Sequence, residues 1–291
     1  VLITDTHLKD TNEELVYNIF QQAIKVCKKY KVNKLFHLGD WFTSRKAQSL
    51  SVLSTTLRIL DMLEEEAIAT DIIPGNHDKT DLNSEESFLD LFDIPISFRV
   101  IKTFQTISLF NDIDISFAPY FKEEKFKEEL IKLTKTLDKK KKHILLAHVA
   151  KCGAVNNDGS KVTNSLDDKL FNKFDKVFIG HYHNQTGDYI GSAYQANFGE
   201  DKVKGCTLLY DDLTTEHIPF EFPLYVKYVV DVENKKQFNN TITEANNYKL
   251  LNKQNIVRIV LTGDKDKINS IDKSQFTNNG LQVVSDFDDV R

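Results

Sequence analysis

Residues 69–78 read ATDIIPGNHD, an apolar run that passes without a spacer into Gly, Asn, His and Asp. A short β-rich run bounded in this way reads as a buried strand ending in a tight turn. The same hand-over occurs elsewhere. VLIT (1–4) runs into Asp5 and His7, KLFHL (34–38) into Gly39 and Asp40, HILLA (143–147) into His148, and KVFIG (176–180) into His181 and His183. Helix-like stretches separate the first three. Residues 11–31 repeat Leu15, Ile19, Ile24 and Cys27 at helical spacing, with Asp10, Thr11 or Asn12 as candidate caps, and residues 46–66 form a second helix. This β-α-β-α-β opening predicts an α/β fold of layered mixed sheets flanked by helices. Ligands in such folds sit beyond the carboxyl ends of strands, and that is where these polar segments fall.

Further along, residues 84–92 and 123–138 read as helices. ISFRVI (96–101), TISLF (106–110), IDISFAP (113–119) and the stretches 187–191, 206–210 and 215–219 read as strands. LDKKKKH (137–143) reads as a solvated helix end. After FPLYVKY (222–228) a second β-α-β-α-β run begins: strand 226–232, helix 235–251, strand 255–263, a short helix, and strand 281–287. It holds neither His nor Cys. The boundary is placed at 222, giving domains 1–221 and 222–291. Val1 lies inside a strand and DFDDVR stops abruptly, so residues are expected to precede the chain, and its C-terminus is expected to be truncated.

The chain has 291 residues, 41% apolar and 28% charged, as in a soluble globular protein. Lys and Arg number 38 against 43 Asp and Glu, a net charge of −5. That excludes a strongly basic nucleic-acid coat, but not a nucleic-acid enzyme whose positive charge comes from bound metal. Cys27, Cys152 and Cys206 have no C-x-x-C spacing, which points to a reducing compartment. No apolar run approaches the ~18 residues of a membrane span, and no signal peptide is visible.

The strand-end segments carry five of the eight His residues. One such segment is an ordinary turn; five in register with five strands are a site. Asp, Asn and His form a mixed oxygen and nitrogen donor set suited to Mn, Fe or Zn rather than to a thiolate zinc site. Asp5, His7, Asp40, Asn76, His148, His181 and His183 are too many for one open catalytic metal. They suit two ions sharing a carboxylate, about 3.5–4 Å apart, which activate a hydroxide and clamp a phosphoryl centre.

The pattern D-x-H, GD, GNHD, H and GHxH resembles the calcineurin-like metallophosphoesterase superfamily over residues 1 to about 220. That resemblance implies first-metal ligands Asp5, His7 and His183, a bridging Asp40, and second-metal ligands Asn76, His148 and His181. It makes His77 the general acid for the leaving oxygen, work an imidazole does near neutral pH. Asp78 either orients His77 or caps the next segment. GDWFTSRK lacks the Ser/Thr-phosphatase motif, and Thr43 stands where purple acid phosphatases carry Tyr. LGDWFTSRKAQ (38–48), IPGNHD (73–78), GHYHNQ (180–185) and YIGSAYQANFGEDKVKGCTLLYD (189–211) resemble instead the SbcD family of DNA repair nucleases, phage recombination endonucleases included. Ala193 replaces the usual Pro there. Thr43 replaces the His common in cellular members.

The family implies a Mn-dependent DNA exonuclease or endonuclease acting through a two-metal-activated hydroxide, with Mg2+, Fe2+ or Zn2+ as the other candidate ions. It also implies a DNA-capping domain after 222, an SbcC-type coiled-coil ATPase partner, a homodimer, and a cytoplasmic setting in a bacterium or phage-infected cell. The alternatives are a small-molecule phosphodiesterase or phosphatase and a non-catalytic DNA-binding module. Arg45 is read as a phosphate contact or a surface residue capping the helix start. His37 is read as a core His or one that orients a ligand, and Trp41 as packing on the sheet edge or stacking on a base. His143 and His217 are read as structural, and Cys152 as a polar-loop residue, with a redox role as the lesser reading. In helix 46–66, Leu50, Leu53, Leu57 and Leu60 form one stripe, with Val52, Ile59 and Leu63 on a second. One stripe docks the helix; the other needs a partner, either the 84–92 helix or a second copy of the chain.

Overall fold

The computed structural model describes residues 1–94, 97–110, 112–152, 154, 160, 162 and 165–286. The chain forms two compact units, Val1–Tyr194 with Val203–Glu221, and Gln195–Lys202 with Phe222–Arg291.

In the first unit the elements are β1 (Leu2–Ile3), α1 (Glu13–Tyr30), β2 (Lys34–His37), α2 (Leu50–Glu65), β3 (Ala69–Ile72), β4 (Phe98–Val100), β5 (Gln105–Phe110), β6 (Ile113–Ala118), α3 (Glu123–Thr134), β7 (Lys142–His148), β8 (Lys176–Gly180), β9 (Gly205–Leu209) and β10 (Thr215–Pro219). One sheet has the order β10-β9-β1-β2-β3-β4, the other β5-β6-β7-β8. β1 to β4 run parallel, as do β6 to β8. Side chains alternate between faces of a strand, and β2 shows the consequence. Phe36 and Leu38 join Ile115, Phe117, Ile144 and Leu146 of the other sheet in one core cluster. His37 faces the opposite way, stacked on Phe20 of α1. α3 covers the second sheet through Phe126, Leu130 and Leu133 against Leu145, Ala147 and Ile179. The unit is therefore two facing sheets flanked by helices, with parallel strand ends gathered at one rim.

Several local expectations change. The helix expected over 46–66 starts at Leu50, because Ser49 accepts the Val52 N–H while residues 46 and 47 turn onto the Ser44 hydroxyl. The helix expected over 84–92 is only a 3-10 turn, Phe88–Phe92, fixed by a Ser87–Asp90 capping box. Residues 187–191 make isolated bridges rather than a strand. Of the two stripes on α2, Val52, Ile59 and Leu63 are buried. Leu50 is 80% and Leu57 52% exposed, while Leu60 turns inward, and Leu91 of the 3-10 turn is 74% exposed rather than covering them.

The second unit has β11 (Tyr225–Asp231), α4 (Lys235–Leu251), β12 (Ile256–Thr262), α5 (Lys265–Ser270), α6 (Ser274–Thr277) and β13 (Gln282–Ser285). Its three strands are parallel in sequence order. Val230, Ala245, Val257, Ile259, Leu261, Ile268, Phe276 and Leu281 form its core. The segment Gln195–Lys202 is stitched to this unit by the Gln195 amide, which both donates to and accepts from the Tyr225 backbone. No helix of the described residues is long and apolar enough to cross a membrane.

Candidate metal centre

The loops after β1, β2, β3, β7 and β8 converge on one rim. The first two zip together, with Asp5, His7 and Leu8 donating backbone N–H groups to the carbonyls of Gly39, Asp40 and Trp41. Asp78 ties in the third: its carboxylate accepts the N–H groups of Gly75, Asp40 and Phe42 at 2.8–3.0 Å. It thus holds two loops in register, while the His77 ring is oriented by Thr43, whose carbonyl lies 2.6 Å from Nδ1. Asp5, His7, Asp40 and His181 all adopt left-handed backbone, with φ of 53°, 45°, 56° and 96°. Each costs about 1–3 kcal/mol, the kind of strain found where side chains must be aimed at a site. Gly39, at φ 94°, has no room for a side chain, since a Cβ would sit 2.5 Å from His148 Nδ1 and 2.8 Å from Gly75 N.

Three overlapping groups of donors result: Asp5, His7 and His183; His7, Asp40 and His77; and Asp40, His148 and His181. Asp40 Oδ2 is 3.7 Å from His7 Nε2 and 3.4 Å from His148 Nε2, so one oxygen lies between two imidazoles on separate loops. Its other oxygen accepts the His77 N–H at 2.7 Å. Asn76 Oδ1 lies 2.8 Å from His181 Nδ1 and 3.1 Å from His148 Nε2. His7 and His183 face each other through Nε2 at 3.1 Å.

This donor set fits cations. The Nδ1 of His148 lies 2.6 Å from the Leu38 carbonyl and must donate to it. Once its second proton is displaced, His148 presents an Nε2 lone pair beside Asn76 Oδ1 and Asp40 Oδ2, three acceptors facing one another. Asp5 and Asp40 are 1% and 2% exposed. Among the described residues their only ion-pair partners are imidazoles. Buried carboxylates require compensating positive charge. Burial keeps His7 and His181 neutral, with pKa values near 3, as metal ligation needs. His148 differs: burial opposes its protonation, but the Asp40 carboxylate overrides this and lifts it to about 9.

The remaining expectations sort by contact. Trp41 is fully buried, among Phe20, His37 and Phe98, and its Nε1 donates to Thr56 Oγ1, so it cannot stack on a base. His37 accepts the Gly39 N–H at Nδ1 and bonds Thr6 Oγ1 through Nε2, bracing the loops that carry Asp5 and Asp40. Arg45 is exposed; Ser49, not Arg45, caps the helix. Sequence reading missed three supports. Asn12 does not cap α1 with its side chain; its amide donates to the His7 carbonyl and the Tyr194 hydroxyl. The buried Lys204 ammonium donates to the His183 carbonyl and to Asn184. Tyr120 follows β6 as His148 ends β7 and His181 follows β8, and its ring lies against both imidazoles. The strand-end rule that located the other segments also applies to IDISFAPY.

A profile of the calcineurin-like phosphoesterase superfamily domain matches residues 1–206. The chain belongs to that superfamily, and residues 1–206 are its phosphoesterase domain. Among curated proteins it is similar to the SbcD component of the SbcCD nuclease of Staphylococcus saprophyticus, 23% identical over 226 residues, covering 67% of this chain and 58% of that one. It is also similar to the DNA double-strand break repair protein Mre11 of Sulfurisphaera tokodaii, 28% identical over 190 residues, covering 62% and 48%. The chain spans about half the length of the curated relatives it matches. A solved nuclease, MPE of Pseudomonas putida, aligns with 13% identity and a TM-score of 0.31 over 56% of this chain and 66% of that one.

Proposed function

We propose that this chain is the nuclease part of an SbcC–SbcD-type DNA repair and recombination complex, hydrolysing DNA phosphodiesters with two bound Mn2+ ions in the cytoplasm. The observation that carries the reading is the convergence of Asp5, His7, Asp40, Asn76, His148, His181 and His183 around a shared Asp40 oxygen. The names of both curated relatives, a nuclease component and a DNA-break repair protein, support it. Asp5, His7 and His183 would hold one ion and Asn76, His148 and His181 the other, with Asp40 between them. When bound, such ions polarise the phosphoryl oxygens and lower the pKa of water. The chain's own residues do the rest. The Leu38 carbonyl fixes the His148 tautomer. The Thr43 carbonyl holds Nδ1 of His77, leaving Nε2 to pass a proton to the departing sugar oxygen. Residues 222–291 would contribute DNA contacts, and an SbcC-type ATPase would bind the assembled protein.

The test compares Mn2+-dependent cleavage of plasmid DNA with that of bis-p-nitrophenyl phosphate. DNA cleavage that stops on chelation and returns with Mn2+ is expected. Turnover of the small diester alone would replace the nuclease with a small-molecule phosphodiesterase, and binding of DNA with neither turnover would leave a binding module.

A homodimer belongs to the same proposal. Leu50, Leu57 and Leu91 leave apolar side chains in water, and the two helix-like segments that carry them suit pairing across a two-fold axis. Leu50→Glu with Leu57→Glu should halve the mass in light scattering and leave circular dichroism unchanged, since neither side chain is in the core. A wild-type chain that is already monomeric removes the dimer.

A further inference from the structure

We propose that Tyr120 is a substrate-positioning residue, whose hydroxyl holds a phosphate oxygen of the substrate beside His181. The inference rests on reading the centre as a phosphodiesterase site and adds a residue that lies in none of its five motifs. Tyr120 follows β6 on the rim that carries His148 and His181. Its ring stacks on His181, with centroids 6.1 Å apart and planes at 29°, and meets His148 edge-on, also at 6.1 Å.

The backbone of Tyr120 is clamped from both sides by the segment that bears Asn76 and His77. Its N–H donates to the Pro74 carbonyl at 2.9 Å. Its carbonyl accepts from Lys79 Nζ at 2.6 Å. Lys79 is fully buried, and its ammonium also donates to the Ser84 carbonyl and lies over the face of Phe121. Burying a charge to hold two backbone carbonyls is costly, and it fixes Tyr120 relative to the metal-binding loops. The side chain itself is not spent on the fold. It is half-buried, and among the described residues its hydroxyl has no hydrogen-bond partner. A phenol O–H that no protein acceptor claims can donate to a substrate oxygen, and bonds most strongly to an anionic one. A non-bridging oxygen of a phosphodiester meets that demand.

Tyr120→Phe isolates the hydroxyl, because the ring that stacks on His181 remains. With the full chain loaded with Mn2+, the variant should bind inorganic phosphate roughly tenfold more weakly in calorimetric titration, as expected for a lost hydrogen bond to a charged acceptor. KM for bis-p-nitrophenyl phosphate should rise by a similar factor while kcat stays within about twofold, a loss of binding shared by ground and transition states. Metal content should match the wild type. A Tyr120→Phe protein that binds phosphate and diester like the wild type overturns the proposal, as does one that loses metal, which would make Tyr120 a support for His181. If the wild type cleaves the small diester but not DNA, the nuclease reading falls while the KM comparison still decides Tyr120. If it cleaves neither, the phosphate titration decides.

Discussion

Asp40→Asn should empty both metal positions at once. Asp40 Oδ2 lies within 3.7 Å of His7 Nε2 and 3.4 Å of His148 Nε2, so it is the oxygen that reaches both sets of donors. Oδ1 is committed to the His77 N–H at 2.7 Å. In the variant that N–H keeps the amide oxygen at the Oδ1 position and turns the NH2 toward the imidazoles. Two N–H donors then face the place where cations must bind, and one negative charge is gone. Metal measured after dialysis should fall from two ions per chain toward none. Two tightly held ions in the variant would refute the shared role. The proton balance offers a second readout. Free wild-type protein carries a proton on His148, whose pKa of about 9 reflects Asp40 prevailing over burial. Metal must displace it, so binding near pH 7 should release a proton, and apparent affinity should rise as pH approaches 9. Without the Asp40 charge, burial is left to dominate and the release should shrink. The metal-free variant should still fold, because the carboxylate removed is one that pushes up the pKa of buried Asp78, after burial itself, to about 7.

The strand-end segments were legible because a strand running straight into Gly, Asp, Asn or His writes its site in one dimension. The parallel order of β1 to β3 and of β7 and β8 then brings those ends to one rim without further information. What stayed hidden depends on contacts far apart in sequence. Asn12 has the composition of a cap, but its amide is claimed by Tyr194, 182 residues away. Asp78 sits beside His77 in sequence, yet its carboxylate serves the backbone of Asp40 and Phe42. Trp41 follows Asp40 in sequence, yet its ring packs on Phe20 of α1 and Phe98 of β4. The stripes on α2 could be listed from spacing, but which one faces water depended on how the helix meets the sheet. Burial of Leu60 splits the Leu stripe between core and solvent.

His77→Gln should retain metal and DNA binding while turnover falls by roughly 10²–10⁴-fold, the range associated with a general acid. The geometry defines what the substitution removes. Nδ1 of His77 lies 2.6 Å from the Thr43 carbonyl, which can only accept, so Nδ1 carries a hydrogen and Nε2 is the atom left for chemistry. The form that can give a proton from Nε2 is the doubly protonated ring, in which both nitrogens are donors. Thr43 is itself held in place by its hydroxyl, which donates to the His7 carbonyl at 2.6 Å, so the proton donor is registered against the loop that carries Asp5 and His7. Glutamine can still offer an N–H to a phosphate oxygen, so binding should survive, but it has no proton to transfer to the departing sugar oxygen. A chemical discriminator follows. A diester with a good leaving group, such as bis-p-nitrophenyl phosphate, needs little protonation, so the variant should lose far less rate on it than on DNA. His77 also falls within reach of His7 and Asp40 as a third donor, and its ring meets His7 edge-on with centroids 4.9 Å apart. If it binds metal instead, His77→Gln should lower metal content and reduce turnover of both substrates equally. Metal analysis and the ratio of the two rates therefore separate a proton donor from a ligand.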